Sequence, residues 1–361
     1  ASGVPPELER LLRLAAARGA SALYLGAGAR PMVRVDGEML ALENEPPIAA
    51  ADVERLVAAL APTAGEDTDE WVADVPEVGR VRGLVFSDHR GPGAIFRMLP
   101  ARAISAEQLG LSREIVALAA QPDGLVLVAG PRASGKSTLV SAFVDLVNRT
   151  RGDHVITIER RIRFVHESRR SYVSQREVRS DAEEAAAVRA ALREDPDVLA
   201  IEDLRSSDAV DAVLEAAASG RLVFAGVLAS SAAGAIERLI EQLPAAERAR
   251  GQSLLAATLR GVIAQVLLRK LGGGRVAARE ILLSTPAIAT LIADGKLSQI
   301  PAALEQGRRQ GMMPLNEALA ALVRDGVVDA GEAWRKAFDR EGLVARLKRE
   351  GADTSFAERL A

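Results

Sequence analysis

A chain of 361 residues is too long for a single hydrophobic core and predicts two domains. Its 46 basic and 49 acidic residues nearly cancel, which argues against nucleic acid or an anionic membrane as a partner recognised by charge alone. The absence of cysteine excludes disulfides and thiolate metal sites, and is typical of proteins from a reducing cytoplasm.

The membrane signals are absent from the sequence as well. No apolar run approaches the length of a membrane span, and residues 1–6 lack the charged and then apolar pattern of a signal peptide. We therefore expect a soluble, cytoplasmic protein.

Residues 1–100 predict a small α+β domain. Leu8, Leu11 and Leu12 lie on one face of a helix, and Asp36 with Gly37 is a strong two-residue hairpin signal. A linker is expected over residues 101–106, directly after Pro100, where polar residues interrupt the pattern. The predicted helices cover 6–19 and about 51–61, and the predicted strands cover 21–25, 32–35, 38–42, 80–86 and 94–99.

Residues 107–361 alternate between strand and helix patterns, which predicts a mostly parallel sheet with helices on both faces. From about residue 286 the pattern becomes helical, including segments over 314–325 and 331–349. In such α/β sheets ligands collect at the carboxyl ends of the strands. The predicted strands are 124–129, 154–158, 197–202 and 221–227, and the helices between them include 136–149 and 181–194.

The most informative motif follows the first of these strands. Residues 130–137 have the spacing G-x-x-x-x-G-K-[ST] of a nucleotide-binding P-loop, between a strand and a helix start. Gly130 and Gly135 allow successive backbone N–H groups to point into one concavity, which suits phosphate oxygens. The predicted phosphate-binding residues are Gly130, Ser134, Gly135, Lys136, Ser137 and Thr138, and the Ser137 hydroxyl is the predicted Mg²⁺ ligand.

Several stretches resemble the type IV pilus retraction ATPases, the PilT-like branch of the type II/IV secretion ATPases. The matching stretches are residues 22–37, 80–97, 130–138, 153–159, 164–167, 175–178, 191–198 and 287–296. The resemblance implies a RecA-like P-loop core, a PAS-like N-terminal domain, a hexameric ring, and ATP turnover coupled to pilus disassembly. It also implies that Arg80, Arg82, Arg90 and Arg97 stand where family arginines reach the triphosphate of a neighbouring subunit.

The chain departs from this family pattern around the triphosphate. Two acidic positions after Glu159 are Arg160 and Arg163, which could bind phosphate or pair with acids of a neighbouring subunit. The family's Gly-Glu pair is Glu202 and Asp203, so Asp203 aligns with the catalytic glutamate, and Glu202 could clash or supply the base itself. The two family histidine positions are Arg221 and Leu228, and the P-loop Thr-Gly pair is Arg132 and Ala133. Ala133 is unfavourable only if its φ is positive.

Three alternative functions are considered for this sequence. The first is an ATP- and Mg²⁺-binding motor ATPase of a hexameric ring that serves pilus retraction and twitching motility, with weakened hydrolysis. Its expected catalytic residues are Glu159, Glu202 and Asp203, together with Arg80, Arg82 and Arg97 acting across subunits. The second is a non-catalytic paralogue that supports an active retraction ATPase. The third, a nucleic-acid motor, is disfavoured by the acidic balance.

The expected partners follow from the same resemblance. They are further copies of the chain, or an active paralogue in a mixed ring, and the inner-membrane platform protein of the type IV pilus. The protein would then be cytoplasmic and peripheral at the inner face of the membrane, with no nucleic-acid partner.

Overall fold

A computed structural model of the chain describes residues 4–58, 70–99 and 103–355. The chain divides into two units, Ala1–Arg102 and Ala103–Ala361, which we describe in turn. Within the described ranges, no helix combines the length and the apolar character that crossing a membrane requires.

The first unit is built on a six-stranded antiparallel sheet in the order β3-β2-β1-β6-β5-β4. Helix α1 packs its leucines, with Leu8 and Leu12 completely buried, against Val33 and Phe96 of the sheet. The predicted turn at Asp36 and Gly37 joins β2 to β3 in register. The elements are α1 Pro6–Ala17, β1 Ala22–Gly26, β2 Met32–Val35, β3 Glu38–Ala41, α2 Ala50–Ala58, β4 Glu70–Val75, β5 Gly79–Asp88 and β6 Gly91–Leu99.

The second unit is built on a seven-stranded sheet in the order β13-β12-β7-β11-β10-β8-β9. Its strands are β7 Gly124–Ala129, β8 His154–Glu159, β9 Tyr172–Glu177, β10 Val198–Ile201, β11 Leu222–Val227, β12 Leu259–Arg269 and β13 Arg275–Leu283. Its helices are α3 Arg113–Ala119, α4 Lys136–Thr150, α5 Asp181–Leu192, α6 Ser207–Ala218, α7 Ala232–Gln242, α8 Arg248–Thr258, α9 Pro286–Ala293, α10 Ile300–Gln306, α11 Leu315–Arg324, α12 Ala330–Lys336 and α13 Arg340–Arg349.

The predicted α/β architecture is confirmed. Every neighbouring pair in this sheet is parallel except β12 with β13. Alternate residues of β7 enter two different cores: Leu125 and Leu127 pack on the α6 side, and Val126 and Val128 pack with Phe143 of α4. Helices on both faces explain why β7 is buried along its whole length.

Two features differ from the sequence prediction. Strands β4, β9, β12 and β13 were not predicted, and β12 follows α8 without an intervening turn, so no Gly or Pro signal marks its start. The single helix predicted over 331–349 is wrong. It is two helices, α12 and α13, and the Asp339 carboxylate between them caps α13 by accepting from the Gly342 N–H at 2.9 Å.

Candidate functional site

The predicted phosphate loop lies between β7 and α4, at the carboxyl end of the parallel sheet. Gly135 has φ +88°, and a Cβ there would lie 2.7 Å from Gln265 Nε2. A Cβ on Gly130 would lie 2.2 Å from the Ser134 hydroxyl oxygen. Both positions therefore require glycine, and the loop closes into the concavity that the motif predicts.

Lys136, at the start of α4, folds back over this loop. Its ammonium donates to the carbonyl oxygens of Gly130 at 2.8 Å and Pro131 at 3.1 Å. Burial lowers the pKa of Lys136, while the carboxylates of Asp203 and Glu202 act in the opposite direction. The positive charge is thus held at the mouth of the loop, with Ser137 and Thr138 in the first helical turn behind it.

Gln265, which was not predicted from the sequence, supports the phosphate loop through a hydrogen bond. Gln265 of β12 donates its amide to the Ser134 carbonyl at 2.7 Å and accepts from Arg279 Nε of β13, also at 2.7 Å. Burial lowers the pKa of Arg279 to about 10. Loop geometry therefore depends on the antiparallel β12–β13 pair as well as on the motif itself.

Glu202 follows β10 and reaches the first turn of α4. Its Oε1 accepts from the Ser137 hydroxyl at 2.8 Å, and its Oε2 accepts from the Arg160 backbone N–H at 3.0 Å. Strand β11 separates β10 from β7 in the sheet. The carboxylate therefore meets the P-loop serine across an intervening strand, without the clash that a glutamate at this family glycine position suggested.

Asp203, the neighbouring carboxylate, has a different environment. Its Oδ2 accepts from Arg205 Nε at 3.0 Å and contacts a second guanidinium nitrogen of the same arginine at 2.9 Å. Its Oδ1 is buried and has no hydrogen-bond partner among the described residues. Arg205 thus fixes the carboxylate and leaves one acceptor oxygen available.

Glu159 ends β8 and lines a small pocket together with Ser137, Glu202 and His166. Burial raises the pKa of Glu159, against hydrogen bonds from Thr157 at 2.6 Å and Gln175 at 2.9 Å. His166, which also lines the pocket and whose pKa burial lowers, is 3.0 Å from the Ser141 hydroxyl. The pocket therefore places two carboxylates beside the P-loop serine.

The two arginines that replace family acids contact acids of the same chain. Arg160 forms ion pairs with Asp181 and Glu184 of α5. Arg163 Nη2 lies 2.9 Å from Glu202 Oε1. The sequence had left open a phosphate or an acid of a neighbouring subunit, and the structure gives each arginine an acidic partner within its own subunit.

The two altered histidine positions lie at opposite ends of β11. Arg221 precedes the strand, donates to Ser219 and pairs with Asp195, at the sheet edge opposite the phosphate loop. Leu228 follows the strand at the same edge as the loop. Of the two replacements, only the one at Leu228 is at the end of the sheet where the phosphate loop lies.

The three predicted finger arginines lie in the first unit. Arg82 on β5 is paired in register with Arg97 on β6, and Arg80 lies two residues before Arg82. Because side chains alternate along strands, all three share the sheet face opposite the buried Val81 and Phe96. Arg80 and Arg97 are exposed, whereas Arg82 is buried.

These features define a P-loop nucleotide-binding protein. A glycine-bounded loop joins a buried parallel strand to a helix, and a carboxylate at the end of a second strand bonds the P-loop serine. Residues 88–329 match the family described as "Type II/IV secretion system protein". The chain belongs to that family, in its PilT-like branch.

Individual relatives support the same assignment. The type IV pilus retraction ATPase PilT of Pseudomonas aeruginosa is 40% identical over 338 residues, covering 92% of this chain and 98% of the relative. The twitching motility protein of Neisseria gonorrhoeae is 35% identical over 351 residues, covering 95% and 94%. The crystal structure of the pilus retraction motor PilT with bound ADP superposes with a TM-score of 0.80 at 34% identity, covering 93% of this chain and 98% of that one.

Proposed function

We propose that the chain is an ATP-hydrolysing subunit of a hexameric ring that powers type IV pilus retraction. The observation that carries this proposal is the hydrogen bond between the Ser137 hydroxyl and Glu202, at the rim of a glycine-bounded phosphate loop. This bond joins the P-loop to the segment after β10, which holds the second nucleotide motif. Membership of the family supports ATP hydrolysis as the activity.

The residues at the loop suit ATP and Mg²⁺. Lys136 would exchange its two carbonyl partners for phosphate oxygens, and α4 would direct its positive end to the same anion. Ser137 and Glu202 offer the hydroxyl and carboxylate oxygens that hold magnesium in P-loop enzymes. Bound magnesium would neutralise charge on the phosphates.

Two further carboxylates are available for the attacking water. Asp203 keeps one buried oxygen without a described partner, while Arg205 holds the other. Glu159 lines the pocket beside Ser137, and its raised pKa makes it a better proton acceptor than an exposed carboxylate. We assign Asp203 to orienting the attacking water and Glu159 to accepting its proton.

The sheet face of the first unit that carries Arg80, Arg82 and Arg97, called here the arginine face, supports the assembly of subunits into a ring. Arg80 and Arg97 are exposed on one face of the sheet, as groups that contact a neighbouring subunit must be. Arginines supplied in trans stabilise the charge of a phosphoryl-transfer transition state by large factors. A homohexamer would bring this face of one subunit to the phosphate loop of the next.

The cellular role is proposed from the relatives. Two of them are named for pilus retraction and for twitching motility. The motor would work at the cytoplasmic face of the membrane, where the inner-membrane platform protein of the pilus would be its partner.

A second function is favoured by one specific observation. Asp203 is a methylene shorter than the glutamate it aligns with, and Arg205 engages its carboxylate, which would restrict its freedom to orient the attacking water. The chain would then bind nucleotide as a non-catalytic member of a mixed ring with an active paralogue.

Steady-state ATP hydrolysis by the purified protein separates these functions, with a parallel nucleotide titration and Lys136→Ala as the control. Turnover that the control abolishes supports the motor. Binding without turnover supports the non-catalytic partner. If the protein neither binds nucleotide nor hydrolyses ATP, both proposals are wrong.

A further inference from the structure

One carboxylate oxygen in this site has two partners, a hydrogen-bonding hydroxyl and a guanidinium that forms an ion pair with it. Glu202 Oε1 accepts from the Ser137 hydroxyl at 2.8 Å and is 2.9 Å from Arg163 Nη2. Ser137 and Glu202 are the pair that the proposed function assigns to magnesium. The guanidinium of Arg163 therefore already contacts the oxygen that magnesium would use.

The two partners of this ion pair differ in how firmly they are held. The Glu202 side chain is only 10% exposed, and the Arg160 backbone N–H fixes its second oxygen at 3.0 Å. The Arg163 side chain is 52% exposed, and it belongs to residues 160–171, which contain neither helix nor strand. Arg163 can thus leave Glu202 while the carboxylate keeps its place.

We propose that Arg163 is an internal counter-ion of Glu202 that must be displaced before magnesium can bind there, and that it lowers the magnesium affinity of the nucleotide site. This inference rests on the proposed nucleotide-binding function. A guanidinium and a small divalent cation cannot both occupy one face of a single carboxylate oxygen, because magnesium requires close, near-octahedral oxygen contacts.

The pKa values of two neighbouring groups reflect the presence of the Arg163 charge in the site. Burial is the largest influence on both of these groups, since it raises the pKa of Glu159 and lowers that of Lys136, and the positive charge of Arg163 acts to lower both pKa values. Its charge is therefore felt by both neighbours of Glu202 in the site. The competition is between two cations for one cluster of carboxylates.

The test measures binding and not turnover. Protein stripped of metal with EDTA is titrated with MgCl₂ at a fixed concentration of the fluorescent nucleotide MANT-ADP, and the half-saturating magnesium concentration is recorded. Arg163→Ala is compared with the wild type and with Arg169→Ala. Arg169 is a matched control, because it lies in the same segment, is 51% exposed, and is 3.9 Å from a different acid, Asp145.

We expect Arg163→Ala to lower the half-saturating magnesium concentration by about three- to tenfold, the effect of removing one half-exposed ion pair to a largely buried carboxylate. Arg169→Ala should change it by less than about twofold. Equal values in all three proteins, or equal decreases in both variants, would overturn the inference. Failure of all three proteins to bind MANT-ADP at any magnesium concentration would overturn the nucleotide-binding proposal, and this inference with it.

Discussion

The side chains of Ser137 and Glu202, 65 residues apart in the chain, are joined by a 2.8 Å hydrogen bond. This bond connects the first turn of α4 to the end of β10. Under the proposed function, Glu202, and not the aligned Asp203, would therefore be the carboxylate that holds magnesium.

Substitutions at the two acids should therefore have different effects. Glu202→Gln should raise the magnesium concentration needed for nucleotide binding by about tenfold, because it removes the charge of the ligand. Asp203→Asn should leave binding within about threefold and lower turnover by about 100-fold, the loss expected when a group that orients water is disabled. MANT-ADP titration and phosphate release measure the two effects, and an exchange of the two phenotypes would contradict the assignment.

Ala133 occupies a strained position in the phosphate loop. Its φ is +60°, in the left-handed region, which costs about 1–2 kcal/mol for a residue with a Cβ. Ala133→Gly should stabilise the folded protein by about 0.5–1 kcal/mol, after the greater flexibility of unfolded glycine is subtracted. Thermal unfolding measures this gain. Ala186→Gly is the control of opposite sign, because Ala186 is exposed in the middle of α5 and glycine destabilises a helix there.

Glu184 should make the stability of the second unit fall as the pH rises. Burial raises the pKa of Glu184 to about 7, from 4.5 for an ordinary glutamate. The folded protein thus binds this proton more tightly than the unfolded chain, so stability is lost as the pH rises from about 4.5 through 7. Glu184→Gln should raise the unfolding temperature at pH 8 and change it little at pH 5, where the native side chain is protonated.

The control for this pH effect is Glu237→Gln, which neutralises an exposed glutamate of α7. It should leave the difference between the unfolding temperatures at pH 5 and pH 8 as in the wild type. A Glu184→Gln protein with the same pH dependence as the wild type would show that Arg160 compensates the buried carboxylate fully.

Mixed rings should restore activity if the arginine face acts across subunits. Lys136→Ala removes the phosphate lysine and Arg97→Ala removes an exposed arginine of β6, so each protein alone should be inactive. Mixing equal amounts should recover about a quarter of the wild-type turnover, because some interfaces then combine an intact loop with an intact arginine. No recovery after subunit exchange would show that Arg97 does not act on the phosphate loop of a neighbouring subunit.

The sequence predicted those features whose determinants lie close together in the chain. Residues 124–129 form β7 with the predicted bounds, and the loop after it has the curvature that its glycines indicate. The hydrophobic pattern and the glycine positions within a short stretch of chain were sufficient to predict both the strand and the loop. The arrangement of the parallel strands also followed from the alternation of strand and helix patterns.

Features that depend on distant residues were not predictable. Gln265 lies 131 residues from the loop carbonyl that it supports, and no local pattern links them. The partner of Arg163 depends on where the irregular segment after β8 turns, which neither periodicity nor spacing encodes. The break at Asp339 was missed because an apolar period continues across it, and only the cap shows that a new helix begins.

The contact between Gln265 and the Ser134 carbonyl also bears on how the protein is synthesised. At about 5–20 residues per second, a ribosome needs roughly 7–26 seconds to advance the 131 residues from Ser134 to Gln265. During that interval the phosphate loop exists without the strand beneath it. The Ser134 carbonyl therefore gains its support from Gln265 only once β12 has entered the sheet, so the final geometry of the loop is reached late in the folding of the second unit.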